Sequence, residues 1–320
     1  MKDFDFNLLT VLEVLLEEKS VTSAAARLHL SQSAVSKQLA RLRETFDDKL
    51  FERTSHGLRP TPKALALAPE LRRVLNQVSQ LTQPSVFEPE LSQRKFRIHM
   101  VETAYSLTFP HFMPELLKLA PKIKLDSQTW HVNSMDMLLR CEIDLGIACR
   151  EWDDRSLLHM DNVPDELECV ELLRDHPVCL VSNKHPLLKE AWNLDTFLKY
   201  RHLQVTFGGI EHWLLDDVLQ LERLNRDIAV NMTDFTSAMH LCEQSELMLC
   251  CPAKYASKMS QNYALTTLPV PTHLIPGAYV LFWHKHFNFD PSHTWLRELI
   301  SSRTIAHHQA NPLIPIALSS

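Results

Sequence analysis

Leucines recur at helical spacing from the first residues of the chain. Leu8, Leu9, Leu12, Leu15 and Leu16, with Glu13, Glu17 and Glu18 among the polar positions, predict an amphipathic helix over 5–18. Ser20 or Thr22 can cap a second helix through Ala24-Ala25-Ala26-Arg27-Leu28, whose alanines let another helix come close. A turn follows at His29-Leu30, since histidine tolerates the left-handed conformation better than most residues. Ser31 is then placed to cap a third helix. There Val35, Leu39, Leu42 and Phe46 form one narrow apolar stripe. The opposite side carries Ser33, Ser36, Lys37, Ala40 and Arg41, with Gln32 at its N-terminal end.

The stretch from Leu50 to Thr61 predicts a hairpin turning near Gly57 and stopped by Pro60, and Thr61-Pro62 is a helix-start signal. Leu67, Leu71, Val74, Val78 and Leu81 then follow a heptad seam, interrupted at Pro69, where a kink is expected. Such a helix pairs with a copy of itself or packs on its own body. Residues 84–93, with two prolines, read as a linker. Beyond 94, β-like and helical runs alternate. Strands are expected at 95–101, 123–130, 144–148, 178–182, 203–207, 228–232, 247–251 and 279–283, and helices at 109–119, 135–140, 194–200, 212–224, 234–245 and 291–302. That alternation implies an α/β body with largely parallel sheets.

Composition changes the picture chiefly through glycine. Five glycines in 320 residues, at 57, 146, 208, 209 and 277, cannot spell a dinucleotide fingerprint, a phosphate-binding P-loop or a Gly-x-Ser-x-Gly nucleophile elbow. Seven cysteines without Cys-x-x-Cys spacing read as reduced core thiols. No apolar run approaches a membrane span and the N-terminus lacks a secretory layout, so a cytoplasmic protein without membrane attachment is expected. His284-x-His286 and His307-His308 have no third ligand at metal spacing, so no metal and no other cofactor is expected.

Charge divides the chain. Residues 1–84 hold 12 basic and 10 acidic side chains, whereas the whole carries 33 and 39. A slightly basic N-terminal segment on an acidic body points to a polyanion-binding module. The polar, short-chained and basic face of the third helix suits a DNA major groove. Gln can pair with adenine edges, and Lys or Arg with guanine. With the preceding helix it makes a helix-turn-helix, and the hairpin is a wing that can lay Arg53, His56 and Arg59 along phosphates.

These residues resemble a known family. Ser20-Val21-Thr22-x-Ala24-Ala25-x-x-Leu28-x-x-Ser31-Gln32-x-Ala34-Val35-Ser36, then Leu39-x-x-Leu42-Arg43, Phe46-Asp47-Asp48-x-Leu50-Phe51-x-Arg53 and Gly57-Leu58-x-Pro60-Thr61, are similar to LysR-type transcriptional regulators. The linker before Lys95-Phe96-Arg97-Ile98 looks like the NodD/LeuO-type branch. His185-Pro186-Leu187 and Trp192 to Leu198 look like its YidZ-like members. Ser33 stands where proline is common.

The resemblance implies a winged helix-turn-helix over 1–60, a dimerising linker helix and hinge over 61–93, and a periplasmic-binding-protein-like effector domain over 94–302. A tail follows at 303–320. Lobe I would comprise about 94–165 and 272–302, and lobe II about 170–268, with crossings near Asp165–Leu173 and Leu265–Pro271. Gln32, Ser33, Ser36, Lys37 and Arg41 would meet the groove, and Thr22, Arg53 and Thr61 the DNA backbone. A small-molecule effector would lie between the lobes, at strand C-terminal ends. Glu102, Thr103, Trp130, His131, Phe207, Gly208 and Asp234 are its expected contacts. The implied partners are double-stranded DNA, an unidentified effector, further copies of the chain as dimer or tetramer, and RNA polymerase if the protein activates. No recognisable nucleophile motif favours an enzyme. The alternatives are a catalytic or ligand-binding α/β protein with an assembly module, and an architectural DNA binder with an empty cleft.

Overall fold

The computed structural model describes residues 5–54, 57–82, 87–156, 158–206 and 213–312. The chain divides near residue 85 into two units, each with its own core.

In the N-terminal unit α1 (Asn7–Glu18) buries Leu8, Val11, Leu12 and Leu15. Ser20 Oγ accepts the Ser23 N–H at 3.3 Å, so Ser20 rather than Thr22 caps α2 (Val21–Leu28). The chain leaves α2 through His29 at φ 55°, and the N–H groups of His29 and Leu30 return to the Ala26 and Ala25 carbonyls. This left-handed stop satisfies carbonyls that would otherwise be orphaned. Ser31 Oγ accepts the Ala34 N–H at 3.1 Å and opens α3 (Gln32–Phe46), whose Val35, Leu39 and Leu42 are buried beside Leu12 and Ala24.

Strands β1 (Phe51–Thr54) and β2 (Gly57–Pro60) form the expected antiparallel wing. The Leu58 N–H donates to the Lys19 carbonyl at 2.7 Å, fastening the wing to the end of α1. Helix α4 (Pro62–Thr82) continues past Pro69. Its Ala64, Ala68 and Leu71 are buried in the same core, with Leu67 and Leu75 packed on it, while Val78 is 44 % exposed. The first half of the heptad seam therefore packs on its own domain.

The C-terminal unit has two lobes, each a five-stranded sheet with helices. Lobe I begins with β3 (Lys95–Met100), α5 (Glu102–Leu107), α6 (Phe109–Leu119), β4 (Lys124–Thr129), α7 (Ser134–Leu139), β5 (Leu145–Arg150) and β6 (Leu167–Asp175). Lobe II follows with β7 (Pro177–Ser182), α8 (Leu194–Lys199), β8 (Arg201–Val205), α9 (Leu214–Leu221), β9 (Asp227–Met232), α10 (Phe235–Glu243), β10 (Met248–Pro252), α11 (Ala253–Met259) and β11 (Leu265–Pro269). The chain returns to lobe I as β12 (Gly277–His284) and α12 (Pro291–Ala310). The sheet orders are β4-β3-β5-β12-β6 and β11-β7-β10-β8-β9.

The sheets are mixed rather than largely parallel. Within each lobe the strands joined by helices run parallel, but β12 is antiparallel to β5 and β6, and β7 is antiparallel to β10 and β11. In each sheet it is the strand by which the chain arrives from the other lobe, β12 in lobe I and β7 in lobe II, that runs against the rest. Both crossings also lie later than expected. Residues 167–175 are a strand of lobe I, so the chain crosses at His176, and 265–269 is a strand of lobe II, so it returns through 270–276. Finally, α12 runs on through Ala310, past the helix end expected at 302. Thr304 is fully buried, and His308 Nε2 lies 2.9 Å from the Leu107 carbonyl, tying the last turns to lobe I.

Gly57 has φ 123°, and a Cβ there would lie 2.5 Å from the Lys19 carbonyl oxygen that receives the wing. Gly57→Ala is therefore expected to destabilise the N-terminal unit by about 1–3 kcal/mol through backbone strain. A lowered melting transition with weakened DNA binding, read by calorimetry and fluorescence anisotropy, checks this. An unchanged transition would show that the wing docks elsewhere.

Candidate functional site

Among the described residues, two places bear on the chemistry expected of the chain. The first is the outer face of α3. Gln32, Ser33, Ser36, Lys37, Ala40 and Arg41 are all exposed, while Val35, Leu39 and Leu42 on the inner face are buried. The side chains of Lys37 and Arg41, and of Arg53 on the wing, form no hydrogen bond or ion pair with any described residue. Several other cations of this unit are engaged. Arg27 pairs with Glu17 and Glu18, Arg59 with Glu52, and Arg43 donates to the Lys49 and Phe51 carbonyls at 2.8 and 3.1 Å. A helix face of short polar side chains with available cations can approach a nucleic-acid groove closely and offer both base-edge donors and phosphate counter-charge.

The second place is the space between the lobes of the C-terminal unit. It encloses about 100 Å³, measured to the centre of a water-sized sphere, where one water needs roughly 10–15 Å³. Its walls are mostly apolar, with Trp213, Leu215 and Phe235 from lobe II and Leu274 and Ile275 from the returning crossover. Thr103 and Tyr279 share a 2.7 Å hydrogen bond at its lobe I side.

Three carboxylates line this cavity, and no lysine or arginine does among the described residues. Glu102 opens α5 in lobe I, and its Oε2 accepts the Phe235 N–H, the first of α10 in lobe II, at 2.9 Å. Burial pushes its pKa up, opposed by that hydrogen bond. Asp175 closes β6 and accepts the His176 N–H at 2.9 Å and, across the crossing, the Lys254 N–H at the start of α11 at 3.0 Å. Burial still lifts it to about 6.

Glu151, just beyond the end of β5, is different. Its carboxylate lies over Gly277, where a Cβ would come within 2.5 Å of Oε2, and Oε2 is buried without a hydrogen-bond partner among the described residues. Burial and then the neighbouring Asp153 push it up to about 7. Asp153 cannot relieve it, being held at about 2 by its own hydrogen bonds from Arg155. Cys149, also on the cavity wall, is pushed up to about 12 by burial, so its thiol stays protonated and is not a nucleophile at neutral pH.

Comparison with known proteins agrees with this division. Residues 6–65 match the "Bacterial regulatory helix-turn-helix protein, lysR family", and residues 89–304 match the "LysR substrate binding domain". The chain belongs to the LysR family. It is similar in structure to a probable transcriptional regulator from Pseudomonas aeruginosa, at 26 % identity and TM-score 0.69 over 94 % of this chain and 97 % of that one. A full-length OxyR variant from the same organism shares the fold at 19 % identity and TM-score 0.71, covering 95 % of each chain. So does full-length CbnR, solved in complex with its target DNA, at 16 % identity and TM-score 0.58 over 96 % of this chain and 99 % of that one. The protein is thus a DNA-binding transcriptional regulator with an effector-binding domain.

Within this LysR architecture the residues expected at the DNA face fall into two groups. Thr22, Gln32, Ser33, Ser36, Lys37, Arg41 and Arg53 are exposed. Thr61 is half-buried and committed to the fold, donating to Asp48 Oδ1 at 2.7 Å and accepting the Ala64 N–H at 3.2 Å to cap α4. His56 lies outside the described residues.

Of the residues expected at the cleft, Glu102 and Thr103 line the cavity. Trp130 is 8 % exposed and packs as core against Gly146, where a Cβ would come within 2.6 Å of its ring. His131 sits against His99 at 5.0 Å between ring centres, and Asp234 caps α10 by accepting the Ser237 N–H at 2.7 Å. Neither is on the cavity wall. Phe207, Gly208 and Gly209 lie outside the described residues. Sequence reasoning missed Glu151, Asp175 and Gly277. The rule that ligands lie beyond strand ends would have found Glu151, which follows β5, had that strand been taken to its last residue.

Glu151 carries a pH signature. A carboxyl raised by burial binds its proton more tightly in the folded state, so its contribution to stability falls as pH rises between the ordinary glutamate range and about 7. Glu151→Gln is expected to be more stable than the parent at pH 8, by on the order of 2 kcal/mol, with the gain shrinking towards pH 5. Melting curves at both pH values check this. Equal differences at the two would mean the carboxylate is compensated.

Proposed function

We propose that the protein reads a two-fold-related DNA site through α3 and that a small molecule between the lobes modulates this binding. The supporting observation is the outer face of α3, where Gln32, Ser36, Lys37 and Arg41 stand exposed with cations engaged by no described residue. Gln32, Ser33, Ser36, Lys37 and Arg41 then contact base edges, and Thr22 and Arg53 the phosphates, while Thr61 acts on the DNA backbone only through the start of α4. Ligand binding changes lobe closure and thereby the spacing or bend imposed on the bound DNA, a coupling between two sites.

In this reading the protein is a homodimer through α4, pairing further to a tetramer. The exposed Val78, on the distal half of the seam, supports self-association. It works in the cytoplasm without catalysis of its own, contacts RNA polymerase where it activates, and stands with the NodD/LeuO-type branch. The described residues contain no helix long and apolar enough to cross a membrane.

Selection of genomic DNA fragments by the purified full chain tests the proposal. The expected result is a recurrent motif with two related half-sites. Arg41→Ala should then weaken binding to that motif by about 1–3 kcal/mol while leaving unspecific binding nearly unchanged. Salt-sensitive binding without any motif, with and without cell-extract small molecules, would favour the architectural reading instead.

A further inference from the structure

We infer that the cleft takes a small amphipathic cation, an amine on an aromatic or branched apolar body, with Glu151 as its counter-ion. The inference rests on the regulator reading above and specifies what the effector domain would recognise.

Three observations point the same way. First, the charge around the cavity is one-sided. Glu102, Glu151 and Asp175 line it, and the lining contains no lysine or arginine among the described residues. An anionic ligand would meet carboxylates and no cation, at a cost that apolar walls raise further. Second, two of the three carboxylates are already answered. Glu102 receives the Phe235 N–H and Asp175 the Lys254 and His176 N–H groups, so both serve to fasten helix starts.

Third, Glu151 is left over. Its backbone is fixed by the Glu151 N–H to Leu158 carbonyl bond at 3.0 Å and by the Met160 N–H to Glu151 carbonyl bond at 3.0 Å. Its carboxylate lies over Gly277, the one residue type that leaves room there. A buried charge without a partner is costly, and proteins retain such groups where a ligand completes them. The apolar surround from Trp213, Leu215, Phe235 and Ile275 supplies the seat for the ligand's body, with aromatic rings suited to a cation's neighbourhood.

The probe set is phenethylamine, phenethyl alcohol and phenylacetate, which share a body and differ in charge, titrated calorimetrically into the full-length chain. The amine is expected to bind, the alcohol more weakly, and phenylacetate not measurably. Glu151→Gln should weaken the amine on the order of thirty-fold and leave the alcohol nearly unchanged. Glu151→Asp, which keeps the charge on a shorter arm, should lie between them. Both variants must retain the parent's far-ultraviolet dichroism.

Preferential binding of phenylacetate, equal binding of amine and alcohol, no binding of any probe, or an amine affinity indifferent to Glu151→Gln would each overturn the proposal. Anisotropy with the selected DNA motif, run on the same samples, separates the two levels. Specific DNA binding without amine preference overturns the ligand class alone, whereas loss of specific DNA binding in the parent overturns the regulator reading beneath it.

Discussion

The effector unit is held in its arrangement by carboxylates of one lobe placed on the helix N-termini of the other. Glu102 reaches from the start of α5 to the first N–H of α10, and Asp175 reaches from the end of β6 to the first turn of α11. Each meets backbone N–H groups that have no intrahelical partner, where the helix end also favours negative charge. Lys258 adds a third tie, its Nζ donating to the Ser106 carbonyl at 2.6 Å. These polar ties sit beside a buried apolar cluster that contains residues of both lobes. They also consume two of the cavity's three carboxylates, which makes Glu151 the unbalanced one.

The N-terminal unit solves a different problem, that of presenting one helix face with little of it used internally, Ser33 alone sharing a 3.0 Å hydrogen bond with the capping Ser31 among the face residues described. Every structural demand on α3 is met from elsewhere. Ser31 caps it, His29 stops the helix before it, and Arg43 ties its last turn to β1 through backbone carbonyls. Asp48 anchors the turn after α3 by accepting from the Leu50 N–H at 2.6 Å and from the Thr61 hydroxyl, which hold its pKa below the usual carboxylate range. The face with Ser36, Lys37 and Arg41 is thereby free of intramolecular duty. Small side chains there keep the approach close, and the cations remain available to phosphates or guanine edges.

Much of this was legible in the chain because it rests on local rules. The spacing of Val35, Leu39 and Leu42, the capping serines and the punctuation at His29, Gly57 and Pro60 each act within a few residues. The crossings were not legible for a physical reason. Strand β6 does not alternate cleanly, since it holds an extra residue, Leu172, opposite Tyr279/Val280 of β12, and β11 is half-buried throughout, with Thr266 and Thr267 at its centre. Both therefore look like connections rather than strands. Trp130 and Asp234 sit where a strand-end rule places ligand contacts, but side-chain direction decides their roles. One turns towards Gly146 and the other caps its own helix. Thr61 likewise shows a cap signal and a phosphate-contact signal in the same hydroxyl, and the fold uses the first.

The central claim, that the cleft keeps one carboxylate uncompensated until something binds, is tested most directly by carbon NMR of the full chain labelled at glutamate carboxyls. One glutamate is expected to titrate near pH 7, displaced from the ordinary glutamate range and lost in Glu151→Gln. A spectrum in which the Glu151 resonance titrates with the exposed glutamates would contradict it.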